Sequence, residues 1–197
     1  MKNLLTLIVI TISVFNISPS YAVKMKPISL QNLAAQSDVI ALVEIEESRQ
    51  IKTVTASCGV EHKTRVHQVI KGDINGSVNF GYMSGLKTGK KYLVFLNKNS
   101  AKNKAVIFTS TNFQKQFSNK ATLSECKKVQ LAEYTLSQAG TAYFDIEPFE
   151  SLEYKQSAKI STQYFRVGES LKHVADKHEP NSIWVEFDSL VKVFKAD

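Results

Sequence analysis

Residues 37–48 read SDVIALVEIEES. Successive side chains alternate across an extended strand, so Val39, Ala41, Val43 and Ile45 share one face while Ile40 and Leu42 fill the other. A strand that is apolar on both faces has to be covered on both. Its acidic end, Glu44, Glu46 and Glu47, has to run out into solvent. Such a strand is read as the opening of a small β-barrel.

The segments that follow supply the rest of such a sheet. Arg49 to Ala56, rich in β-branched residues, either continues the first strand or returns as a hairpin arm. In residues 60–72, Val60, Thr64, Val66 and Ile70 alternate with Glu61, Lys63, Arg65 and Lys71, and Val69 breaks the alternation in the way a β-bulge does. Gly72-Asp73 and Asn75-Gly76 provide turn chemistry. Residues 77–83 form a third strand, 91–98 (KYLVFLNK) a fourth that is apolar for five residues running, and 105–110 (AVIFTS) a fifth. Ahead of them, Ser29 caps one or two helical turns in LQNLAAQ. Short strands at intervals of about 12 to 20 residues, without helices between them, point to an antiparallel five-stranded barrel of the oligonucleotide/oligosaccharide-binding (OB) type. The rival immunoglobulin-type sandwich places a Trp between its two cysteines, whereas Trp184 lies beyond both.

Beyond Thr122 the pattern changes. Residues 124–140 read as a helix stopped by Gly140, 141–152 and 159–167 as strands, 168–180 as a capped helix ended by Pro180, and 182–195 as a strand with a final amphipathic turn. The chain therefore divides into a leader at 1–22, a barrel at 23–128 and an α+β extension at 129–197 packed on it. The fold class is mainly β with flanking helices.

The leader reading rests on Lys2, an apolar run from Leu4 to Ile17, Pro19, and small residues before a cut after Ala22. That run is about 14 residues, short of the roughly 20 that a membrane span needs. Export to the periplasm or outside the cell is expected, with Val23 first in the mature chain and no integral membrane segment left. In an oxidising compartment the two cysteines, Cys58 and Cys126, are expected to pair. On the chain-entropy view, closing a loop of roughly 70 residues stabilises by about 4 kcal/mol at most.

SDVI at 37–40, Lys71-Gly72 and Gly89-Lys90-Lys91-Tyr92-Leu93-Val94 resemble the motifs of the netrin-like module family. This is the OB barrel shared by tissue inhibitors of metalloproteinases, complement C-terminal domains and many exported bacterial proteins. The similarity spans roughly residues 29 to 110 and implies an OB barrel in a secreted binding module that acts by surface contact. The inhibitors of that family present a cysteine as first mature residue to chelate zinc. Val23 stands in that place here, so the same device is not expected.

Charge is unevenly spread. Residues 87–128 carry ten Lys against the single Glu125, whereas 129–197 are net acidic. Lys87, Lys90, Lys91, Lys98, Lys102 and Lys104 are thus candidate binding residues for an acidic polymer: an acidic glycan, anionic lipid or nucleic acid. A protein partner is the first expectation and a polyanion the alternative.

No catalytic, cofactor or metal constellation is read from the sequence, and a non-enzymatic module is expected. His62 and His67 fall on opposite faces of one strand, and His173 and His178 are five apart on an expected helix, so none of these pairs has zinc spacing and all four are read as surface residues. Ser84 in GYMSGLKTGK fits neither a nucleophile elbow nor a phosphate loop. Glu44 and Glu46 share a strand face, as ordinary solvent-facing carboxylates do.

Overall fold

A computed structural model describes residues 26–54, 57–82, 86–99, 132–149 and 154–195. The expected leader and its cut, the expected strand at 105–110, Ser84, Lys102, Lys104 and Cys126 lie outside the described residues. After the short strand β1 (Ile28–Ser29) comes helix α1 (Leu30–Ala35), then β2 (Val39–Lys52), β3 (Ser57–Lys71), β4 (Ser77–Tyr82) and β5 (Lys91–Lys98). Next are β6 (Tyr134–Leu136), the single turn α2 (Ser137–Gly140), β7 (Tyr143–Phe149), β8 (Tyr154–Ser161), β9 (Phe165–Arg166), β10 (His173–Ala175), β11 (Ser182–Glu186) and helix α3 (Phe187–Lys195).

Five strands close a ring in the order β2, β3, β4, β6, β5 and back to β2. The barrel is of OB type, but its pairing is mixed: β4 and β6 run parallel at Phe80↔Tyr134 and Gly81↔Thr135. An odd ring cannot alternate direction all the way round, so at least one parallel pair is unavoidable. The closing strand comes from 134–136, within the stretch read as helix and beyond the boundary expected at 128. A three-residue strand is too short for its alternation to show in the sequence. What fixes it is the pair of edges it fills, β4 on one side and Leu96–Lys98 of β5 on the other.

β5 carries a second sheet. Its first half, Lys91–Val94, pairs with Ile146–Tyr143 of β7, and the sheet continues through β8 and β11 to β10. Strand β6 and strand β7 therefore occupy successive parts of one edge, with α2 bulging out between them.

This arrangement explains why β2 is apolar on both faces. Val39, Ala41, Val43 and Ile45 point into the barrel with Val78, Phe80, Tyr92, Val94, Leu96 and Leu136. Ile40 and Leu42 point outward into a second core with α1, Phe95, Phe144, Ile160 and α3. Each Val, Leu, Ile or Phe among them stabilises by roughly 1.5–3 kcal/mol when fully buried. Helix α3 buries Phe187, Leu190, Val191 and Phe194, an i, i+3, i+4, i+7 stripe, and so extends the expected amphipathic turn to nine residues. The helix expected at 168–180 is instead a loop with the short edge strand β10.

The motifs that carried the resemblance have structural duties. Ser29 caps α1 by accepting from the Asn32 amide at 3.1 Å. Ser37 donates to the Leu33 carbonyl at 2.8 Å, and Asp38 accepts the Lys98 amide at 2.7 Å. Lys71 donates to the Ala34 carbonyl at 2.7 Å, closing the C-terminal end of the same helix. The expected bulge is present: Ile40 faces Lys71 while Ala41 faces Val69, leaving Ile70 as the extra residue.

Candidate functional site

A cleft of about 700 Å³ opens on the outer barrel wall, and its lining comes from four strands. β2 gives Arg49 and β3 gives Glu61; the turn after β3 gives Asp73, Ile74 and Asn75; β4 gives Ser77, Val78 and Asn79; and Ala132, Glu133 and Tyr134 form the far side. The cleft exists because β6 meets β4 only at Phe80 and Gly81. Before Tyr134 the chain swings away to β5, where the Asn99 amide donates to the Glu133 carbonyl at 2.7 Å and the Asn99 side chain to the Ala132 carbonyl at 2.8 Å. Among the described residues no strand pairs with the outer edge of Ser77–Asn79. A smaller hollow of about 210 Å³, lined by Glu47, Arg49, Glu61, Lys63 and Asn79, adjoins it.

The electrostatics of this wall are mixed. Arg49 is held by Glu61 at 2.5 Å, a hydrogen bond and charge pairing that raise the guanidinium pKa. Arg65 meets Glu46 at 2.8 Å and His67 meets Glu44 at 2.9 Å. Glu44 and Glu46, two of the expected solvent-facing carboxylates, are thus matched across the β2–β3 ladder. Among the described residues Asp73 has no hydrogen-bond or ion-pair partner and Glu133 has a loose contact with Lys98 at 3.8 Å; with Glu61 paired to Arg49, the described lining is net acidic.

The four described candidate lysines, Lys87, Lys90, Lys91 and Lys98, are not gathered into one patch. Lys90 pairs with Glu147 on β7, whose hydrogen bond and charge raise the lysine pKa. Lys87 and Lys91 sit with it at one end of β5, Lys87 giving its backbone amide to the Tyr92 hydroxyl at 3.0 Å. Lys98 is at the other end, seven residues along the strand from Lys91, or about 23 Å away at the usual rise.

A second polar cluster lies at the far edge of the extended sheet. Asp176 Oδ1 accepts the His178 and Glu179 amides, and its Oδ2 accepts the Trp184 indole at 2.8 Å and faces Lys159 at 3.2 Å. The His178 amide leads in holding this carboxyl down to about 2; Lys159, the Glu179 amide and the indole add to it, and burial opposes it. Burial alone would lower the Lys159 pKa, but its bonds to Glu179 and Asp176 leave it raised. These groups are satisfied by one another and hold the loop before β11. On the same face, burial raises the Asp145 carboxyl, with the neighbouring Glu147 charge adding to the effect.

No protein-family model matches the chain, and no curated protein matches it.

His62 corrects the surface reading given to all four histidines. It is fully buried in the barrel, where Nδ1 lies 2.8 Å from the Ser48 hydroxyl and the ring packs on Phe80 at 5.4 Å between centroids. His62 shares the inward face with Thr64 and Val66, and the strand period alone would have placed it there. His67, on the opposite face, is outside as expected. Among the described residues no group of three or more His, Cys, Asp or Glu side chains is placed to hold a metal, and no helix is long and apolar enough to cross a membrane. Cys58 is buried at the start of β3.

The cleft residues Asp73, Asn75, Asn79 and Glu133 had no individual signal in the sequence. Asp73 and Asn75 read as turn formers, and Glu133 lay in an expected helix.

Proposed function

We propose that the chain is an exported, non-enzymatic binding or inhibitory module, secreted or periplasmic, that acts through surface contact with a protein partner. The observation that carries this reading is the cleft between β4 and the approach to β6. Its lining of carboxylates, amides, a hydroxyl and one already paired arginine matches the mixed polar chemistry of a protein surface. A polyanion site needs a concentration of uncommitted cations, whereas Lys90 is paired with Glu147 and Lys98 stands at the opposite end of β5. A Cys58–Cys126 bridge is proposed to brace the barrel in its oxidising compartment.

The test uses the mature chain from Val23, tagged at its C-terminus, to recover partners from its native compartment, with binding of the recovered protein then measured at about 50 and 500 mM salt. A packed protein interface is expected to keep most of its affinity across that range, while contacts to an acidic polymer lose orders of magnitude through counterion release. Recovery of no protein, together with heparin retention that disappears when Lys87, Lys90, Lys91, Lys98, Lys102 and Lys104 become Ala, would overturn the proposal in favour of polyanion binding.

A further inference from the structure

We infer that the cleft receives an extended, basic segment of the partner, added as a strand to the outer edge of β4. The inference rests on the binding-module reading and supplies the chemistry of its contact.

The backbone sets the first half of the case. The Val66 amide donates to the Gly76 carbonyl at 2.9 Å, and β3 pairs with β4 from Arg65↔Ser77 to Val60↔Tyr82. In an antiparallel ladder the backbone groups of successive residues alternate between the two edges. Gly76, Val78 and Phe80 therefore turn toward β3, and the Ser77 carbonyl and Asn79 amide turn toward the cleft. β6 takes up this edge only from Phe80 onward. Strand backbone facing a cleft of about 700 Å³ is a template for strand addition.

Charge sets the second half. With Arg49 committed to Glu61, the lining offers a ligand the carboxylate of Asp73 and that of Glu133, the latter in loose contact with Lys98 at 3.8 Å, together with the Asn75 and Asn79 amides. An incoming strand bearing Lys or Arg at alternate positions satisfies both carboxylates, while an acidic strand is repelled by them. The small apolar contribution of Ile74 fits a short side chain between the basic ones.

The experiment measures binding of synthetic nonapeptides to the full mature chain by amide chemical shifts and hydrogen exchange. One peptide alternates Lys with Val and Thr, one replaces Lys by Glu, and one keeps Lys but places Pro at alternate positions so that it cannot pair as a strand. The lysine peptide is expected to shift the amides of 77–79 and 132–134 and to slow exchange at Asn79. The glutamate and proline peptides are expected to bind at least about tenfold more weakly. The double change Asp73→Asn with Glu133→Gln is expected to weaken the lysine peptide about tenfold with the melting temperature unchanged. Equal binding of the proline peptide, equal binding to the double variant, shifts elsewhere, or no binding at all would overturn the inference. If a native partner is still recovered undiminished by the double variant, the binding-module reading stands while this account of its contact falls; if no partner is recovered from either form, the reading itself falls.

Discussion

At the scale of single residues, Lys71-Gly72 shows how a two-residue motif serves the fold. Lys71 reaches across to the last carbonyls of α1, and Gly72 turns the chain with φ +87°, a left-handed value at which a side chain is strained. A Cβ at Gly72 would lie 2.6 Å from the Asp38 carbonyl oxygen and 2.9 Å from a Val39 methyl, and backbone cannot step aside as a flexible side chain does. Gly72→Ala is therefore expected to destabilise by about 2 kcal/mol or more, combining the conformational penalty with the clash. Chemical denaturation of the two forms measures it, and a loss under about 0.5 kcal/mol, within the range of ordinary surface substitutions, would contradict the argument. His62 carries a different lesson at the same scale. Its burial followed from its even-numbered place beside Thr64 and Val66, but a polar residue type was read as an exposed one. The Ser48 hydroxyl resolves the conflict by giving Nδ1 a partner inside the wall.

At the scale of elements, long strands with a clear period were legible and short ones were not. β2, β3 and β5 announced themselves because five or more residues obeyed one alternation or ran apolar throughout. β6 has three residues and β10 has three, too few for a period, and both exist through the edges they pair with. Residues 168–180 read as a helix on the strength of a cap and a terminal Pro, yet Asp176 spends its carboxylate on the His178 and Glu179 amides and the Trp184 indole, which fixes a loop instead. That loop carries a pH dependence. The Asp176 pKa is about 2 in the folded chain against an ordinary value of 3.8, so its ionised form favours folding. The contribution is complete above the unfolded value and is lost as pH falls from about 4 through about 2. Fluorescence of Trp184, the single tryptophan, is expected to change across that window as the loop loosens, and Asp176→Asn is expected to flatten the change. An unaltered acid response in that variant would place the sensitivity elsewhere.

At the scale of the whole molecule, β5 makes the barrel and its extension one structure. One of its edges lies along β2; the other is divided between β6, which closes the ring, and β7, which begins the outer sheet. Its side chains divide the same way: Tyr92, Val94 and Leu96 enter the barrel, and Leu93 and Phe95 enter the outer core. Phe95 meets Phe144 of β7 at 5.2 Å and Phe194 of α3 at 5.3 Å between ring centroids, so a residue of the barrel wall holds both layers of the extension. Removing the extension would leave Ile40, Leu42, Leu93 and Phe95 covered on the outside of the barrel by α1 alone, which couples the stability of each part to the other. Phe95→Ala is expected to cost about 3–5 kcal/mol, the usual consequence of deleting a buried aromatic ring. The coupling makes a sharper claim about how that loss is distributed. Unfolding followed by Trp184, which sits in the extension, should coincide with unfolding followed by amide exchange at β3 and β4, in the parent chain and in the Phe95→Ala variant alike. Two separated transitions, with the barrel surviving after the tryptophan signal is lost, would mean that the outer core adds stability to the extension alone and that the barrel wall stands without it.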